Sequence, residues 1–111
     1  MTGNEYQKLA LRTANKELSE KELLTNGALG LAGEGGEVCD AVKKYRYQGH
    51  ELDRKHVAKE LGDICWYIAI ASHAIGYDLD DILQMNVDKL KARYPDGFNA
   101  ERSINRKAGD D

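Results

Sequence analysis

Glu34 and Glu37 stand three residues apart, and so do Glu60 and Asp63. Both pairs fall in segments whose apolar spacing reads as helix. On a helix, positions i and i+3 project from one face with Cβ atoms roughly 5 to 6 Å apart. If the two helices pack side by side, four carboxylates converge. Buried without counter-ions they would be very unfavourable, and a hard divalent cation with a preference for oxygen ligands, such as Mg²⁺, removes that penalty. The chemistry this suggests is metal-dependent work on an anionic substrate, a phosphate above all. A single acidic pair is ordinarily a solvated helix face. Here there are two, on consecutive helices, set among glycines and apolar residues.

Other metal chemistries fit less well. A di-iron carboxylate bundle expects Glu-x-x-His on two helices, and no histidine takes either +3 place. His50, His56 and His73 form no ligand spacing with the cysteines and read as surface or capping residues. The calcium loop of an EF-hand is missing. Gly27, Gly30, Gly33, Gly35 and Gly36 crowd together, yet no Lys-Ser or Lys-Thr follows them as a phosphate-binding P-loop requires. Each glycine costs a helix interior roughly 1 kcal/mol relative to alanine. A loop is one reading of the cluster; the better one is a helix whose backbone must come close to another helix or to a ligand.

Four helices must position these residues. The first is predicted over about Asn4 to Glu17. Ser19 with Glu22 forms a capping-box pattern that starts a second helix near Glu20 and runs it to about Tyr47. Gln48-Gly49-His50-Glu51 reads as a turn. Asp53 can cap a third helix to about Ile75, where Gly76 supplies the stop. Val57, Leu61, Ile64, Ile68, Ala71 and Ile75 give that helix an apolar seam. Asp78 can cap a fourth, which ends at Tyr94-Pro95. No segment alternates with period two. The expected fold is therefore all-α, a four-helix antiparallel bundle forming one domain over residues 1–98. Residues 99–111 are a polar tail, expected to be mobile or ordered only against a partner.

Composition excludes several classes. The chain has 111 residues, room for one domain with a modest core, so completion by a partner subunit is expected. A net charge of −3 without a basic run argues against binding a nucleic acid polymer. No apolar stretch is long enough for a membrane span, and the N-terminal residues do not form a signal peptide. Cys39 and Cys65 lack a C-x-x-C spacing and read as reduced, partly buried packing residues of a cytoplasmic protein.

The stretch from Gly30 to Val38, followed by Glu60-Leu61-Gly62-Asp63-Ile64 and Trp66-Tyr67, resembles the MazG-like all-α nucleotide pyrophosphohydrolases, with their E-x-x-E, spacer and E-x-x-D. The segment from Asn86 through Lys89, Arg93, Tyr94-Pro95 and Phe98 resembles the family's closing segment, so the likeness spans about Leu23 to Phe98. Gly35 departs from it, where alanine is commoner. The resemblance implies Mg²⁺-dependent hydrolysis of a nucleoside triphosphate to the monophosphate and pyrophosphate, with Mn²⁺ as a substitute ion. By position, Glu34, Glu37, Glu60 and Asp63 would hold the metal, and Glu34 or Glu37 could accept the proton of the attacking water. It also implies a homodimer or homotetramer of helical bundles. Related alternatives are hydrolysis of a dUTP- or dCTP-type nucleotide or of phosphoribosyl-ATP. The non-enzymatic alternative is a helical cation-binding or interaction module.

Candidate substrate contacts complete the reading. Lys44 lies beyond the first acidic pair, with Lys43 and Arg46 as neighbours. Asn86, Lys89 and Arg93 lie on the fourth helix, where cations can hold phosphates or merely complement the helix dipole. Tyr67 falls one turn beyond Asp63 and is placed to touch sugar or base. Trp66 reads as core or interface rather than as a platform for a base.

Overall fold

The computed structural model describes residues 1–106 and residue 109. Five helices follow in order: α1 (Gly3–Leu11), α2 (Glu20–Tyr47), α3 (Arg54–Ala74), α4 (Leu79–Arg93) and α5 (Ala100–Ile104). Among the described residues there is no strand, only an isolated bridge between Pro95 and Gly97. The all-α architecture expected from the sequence is the one observed, with one helix more.

α2 and α3 form the central hairpin. The Ser19–Glu22 capping box is closed in both directions, with Glu22 N–H donating to Ser19 Oγ at 3.2 Å and Ser19 N–H donating to Glu22 Oε1 at 3.4 Å. From there α2 runs unbroken through all five clustered glycines. Two of them answer to α3. A Cβ on Gly27 would lie 2.9 Å from the Cβ of Ala71, and one on Gly30 would clash with the edge of the Tyr67 ring. Gly33, Gly35 and Gly36 face open space. The turn back passes through Gly49 at φ 74°, the left-handed conformation that glycine adopts without steric penalty. Asp53 Oδ1 then accepts from His56 N–H at 3.0 Å and starts α3. Gly76, at φ 82°, ends it.

α1 is shorter than expected. It stops at Leu11, and the next N–H groups, of Arg12, Thr13 and Ala14, bond three residues back instead of four. Asn15 draws the chain away by accepting from Glu17 N–H through its side chain at 3.0 Å, an alternative to helical pairing typical of asparagine. α1 packs on α3 and α4 through Gln7, which is 5% exposed. Its Nε2 donates to the carbonyls of Ala69 (3.1 Å) and Tyr77 (3.2 Å), and its Oε1 accepts from Leu79 N–H at 2.9 Å. Asn4 Oδ1 accepts from Asp80 N–H at 2.8 Å. Asp78 does occupy the N-cap position of α4, but its side chain makes no capping bond; α1 caps α4 in its place.

The core is small: Ala10, Ala69, Ile70 and Leu79, with Tyr6, Trp66, Ile68 and Ile82 packed around it. The apolar seam expected on α3 is not the buried face throughout. Leu61 is 49% exposed and Ile75 52%, whereas Ala69, Ile70 and Ser72 are buried. α3 is covered by α2 on one flank and by α1 on another, which shifts its buried positions. Cys39 and Cys65, expected to be packing residues, are both exposed. The tail holds more order than expected: Asn99 Oδ1 accepts from Arg102 N–H at 3.1 Å and starts α5. Residues 107, 108, 110 and 111 of that tail lie outside the described residues.

Candidate active site

Because α2 and α3 run antiparallel, one register places several side chains. Gly27 meets Ala71, Gly30 meets Tyr67, and Glu34 meets Glu60 and Asp63. Each of these three carboxylates offers an oxygen within 4.8 Å of the others. Glu34 and Glu60 are half-buried and Asp63 is exposed, so the cluster sits at the surface of the hairpin.

The electrostatics are those of a site short of positive charge. The Glu34 carboxyl is pushed up to about 7, first by a hydrogen bond to Glu60, then by burial, then by the charges of Glu60, Asp63 and Glu37. Two carboxylates this close hold a proton between them, because both cannot ionise cheaply. The nearby lysines do not relieve this. Lys44 Nζ is 2.8 Å and Lys43 Nζ 3.4 Å from Asp40, whose carboxyl is held below its usual range by those two partners, Lys44 foremost. The donors are all oxygen, no lysine among the described residues reaches them, and the cluster holds on to a proton more tightly than a free carboxylate does. That combination fits a hard divalent ion, which would displace the shared proton on binding.

Beside the cluster lies an open cavity of about 340 Å³, lined by Glu34, Asp63, Trp66 and Tyr67. Its lining combines two carboxylates with two aromatic rings. Trp66 and Tyr67 meet edge to face, with centroids 5.1 Å apart and planes at 88°. Trp66 is partly buried against the core, as expected, and also forms part of this wall. Tyr6, on α1, borders the same region; its phenol is held above its usual range by burial first, then by the charges of Cys65 and Asp63.

The remaining predicted residues are placed differently. Glu37, one turn along α2 from Glu34, is exposed and is not one of the three converging carboxylates. It lines a second cavity of about 260 Å³ toward the α2–α3 turn, together with Asp40, Lys44, His50 and His56. Lys44 thus stands near the site but tied to Asp40, which raises its pKa. Asn86 and Lys89 are exposed on α4, and Arg93 lies 5.9 Å over the Tyr94 ring. None of those three lines the cavity beside Glu34. His56, read from sequence as surface or cap, has Nε2 3.5 Å from Glu60 Oε1. The i, i+4 spacing of His56 and Glu60 was the signal for that contact.

Comparison with known proteins gives the family. Residues 24–98 match the family described as the MazG nucleotide pyrophosphohydrolase domain. The chain is similar to the Gene 37 protein of Mycobacterium phage L5, with 32% identity over 89 residues, covering 77% of this chain and 78% of the phage protein. That protein's name carries no activity. No solved structure matches the chain at a significant level.

Proposed function

The chain belongs to the MazG nucleotide pyrophosphohydrolase family, and from that premise we propose that it hydrolyses a (deoxy)nucleoside triphosphate to the monophosphate and pyrophosphate, with Mg²⁺ at Glu34, Glu60 and Asp63. The observation that carries this is the convergence of those three carboxylates, two of which, Glu34 and Asp63, line a cavity together with Trp66 and Tyr67. When bound, the ion supplies charge neutralisation for the polyphosphate and acidifies a bound water. The protein's own share is positional. Glu34 and Glu60, half-buried, hold their oxygens ready. Glu37, one turn from Glu34, joins the metal ligands or accepts the proton of the attacking water; Glu34 is the other candidate base. Trp66 and Tyr67, in the same lining, offer rings to the nucleoside.

The subunit's shape supports a homodimer or tetramer. Its surface is 8381 Å², whereas a compact domain of this size exposes about 6,100 Å². The surplus, on the order of 2,000 Å², exceeds the roughly 800 Å² each partner gives to a standard interface. The radius of gyration is 16.9 Å, against about 13 Å for a compact domain. Leu83, Met85, Val87 and Leu90 lie exposed on α4, and Leu24 and Leu31 on α2. In this reading Asn86, Lys89 and Arg93, which do not line the cavity of their own subunit, reach phosphates in a neighbour's site. No described helix is long and apolar enough to cross a membrane, in keeping with a nucleotide substrate met in the cytoplasm.

The test is direct. The pure protein is incubated with a nucleotide panel and Mg²⁺, and products are identified by phosphorus NMR. Monophosphate plus pyrophosphate is the expected result; orthophosphate release, or no turnover of any nucleotide, refutes the proposal.

A further inference from the structure

The indole of Trp66 is held from a different helix. Its Nε1–H donates to Thr13 Oγ1 at 2.9 Å and to the Ala10 carbonyl at 3.1 Å. That carbonyl already accepts from Thr13 N–H at 3.1 Å and from the Thr13 hydroxyl at 3.0 Å. A carbonyl oxygen has two lone pairs, so three donors crowd it, and the hydroxyl is the shorter contact for the indole. Thr13 thus donates with its hydroxyl hydrogen and accepts with its oxygen, and it locks one ring edge at the point where α1 ends. The ring so held lines the cavity beside Glu34 and Asp63, edge to face with Tyr67.

The phosphates of a nucleotide in this cavity would follow the carboxylates and their cation, which leaves the two aromatic rings of the lining for sugar and base. Trp66 lies three residues beyond Asp63 on α3, less than one turn from that carboxylate. We propose that Trp66 is the wall against which the nucleoside lies, and that Thr13, on the turn after α1, is the positioning residue that sets the plane of that wall. This deepens the function proposed above and rests on it. An aromatic wall gains much of its binding energy from a fixed face, since a base stacks only on a ring correctly presented. A hydroxyl that removes the indole's rotational freedom therefore acts on affinity, not on the hydrolytic step.

Trp66 is the single tryptophan of the chain, so its fluorescence reports on this ring alone. The experiment titrates the full chain with deoxynucleoside triphosphates, with Ca²⁺ in place of Mg²⁺ to suppress turnover, and follows Trp66 emission. Thr13→Val and Thr13→Ser are compared with wild type, and KM and kcat are measured in parallel with Mg²⁺. Nucleotide is expected to change Trp66 emission saturably. Thr13→Val should shift the emission of the free protein and raise Kd and KM about 2- to 10-fold, the range for loss of one hydrogen bond, with kcat within about twofold. Thr13→Ser, which keeps the hydroxyl, should restore both. The assignment is overturned if Thr13→Val leaves emission and Kd at wild-type values, if Thr13→Ser is as impaired as Thr13→Val, or if bound nucleotide leaves the emission unchanged. Nucleotide that binds with these effects but is never hydrolysed defeats the enzymatic reading alone. No binding of any nucleotide defeats both.

Discussion

The ring of Tyr67 occupies the space in which a side chain on Gly30 would have to sit. A side chain at Gly30, one turn from Glu34, therefore fits only if the Tyr67 ring moves. Gly30→Ala should therefore destabilise the hairpin in spite of alanine's better helix propensity, and it should lower activity by displacing Tyr67 from the cavity. Gly35→Ala meets nothing within 4 Å and should stabilise by up to about 1 kcal/mol. Thermal unfolding of the two variants checks this; a stabilised Gly30→Ala would contradict the packing argument.

The carboxylates admit a substitution test. Asp63→Asn or Glu37→Gln should reduce turnover by a factor on the order of 100 or more, the scale seen when one preorganised electrostatic group is removed. The helical circular dichroism should be unchanged, because Asp63 and Glu37 are exposed. Asp63→Asn at wild-type turnover would refute the metal site. Glu37→Gln at wild-type turnover would remove Glu37 alone, since Glu34, Glu60 and Asp63 converge without it.

Glu34 makes a signed prediction with pH. Its carboxyl is raised from 4.5 to about 7 in the folded protein, so the folded state binds the proton more tightly than the unfolded one. The metal-free protein should lose this group's contribution to stability as pH rises from about 4.5 through 7. Glu34→Gln should show a flatter stability profile over the same window. A divalent ion must displace the shared proton, so Mn²⁺ affinity, measured by electron paramagnetic resonance, should fall as pH drops below about 7. Affinity that rises on acidification would exclude the shared-proton cluster as the site.

Gln7 ties three elements with its side chain alone. Gln7→Leu keeps the apolar bulk but leaves the buried Leu79 N–H without its partner and removes both donated bonds. The expected cost is about 2–3 kcal/mol in urea unfolding, the scale for an unsatisfied buried polar group plus lost hydrogen bonds. A change below about 0.5 kcal/mol would show that α1 is dispensable for seating α4.

Light scattering tests the assembly. The chain weighs 12.4 kDa, and the particle in solution should weigh at least twice that. Leu83→Lys with Leu90→Lys should dissociate it, since both residues are exposed and apolar on α4. A wild-type monomer at micromolar concentration would refute the shared-site reading of Lys89 and Arg93.

Local chemistry was legible in the sequence because its causes are local. Ser19 with Glu22, Asp53 and Gly76 mark the helix ends they were read to mark, since a cap needs only neighbours three residues away. The i, i+3 acids of α3 were legible for the same reason, as helical periodicity alone puts Glu60 and Asp63 on one face. What depended on distant partners was not legible. Only the α2–α3 register decides that Glu34, Glu60 and Asp63 converge while Glu37 faces the neighbouring cavity. Only packing shows that Gly27 and Gly30 are enforced by α3 whereas Gly33, Gly35 and Gly36 face open space. The N-terminus of α4 is capped from α1 by Gln7 and Asn4, more than seventy residues upstream, and no local rule could exchange those for Asp78. The Trp66 indole owes its orientation to Thr13 in the same way. Hydrogen bonds and steric exclusion between elements act only after the chain has closed on itself, so these assignments belong to the tertiary structure.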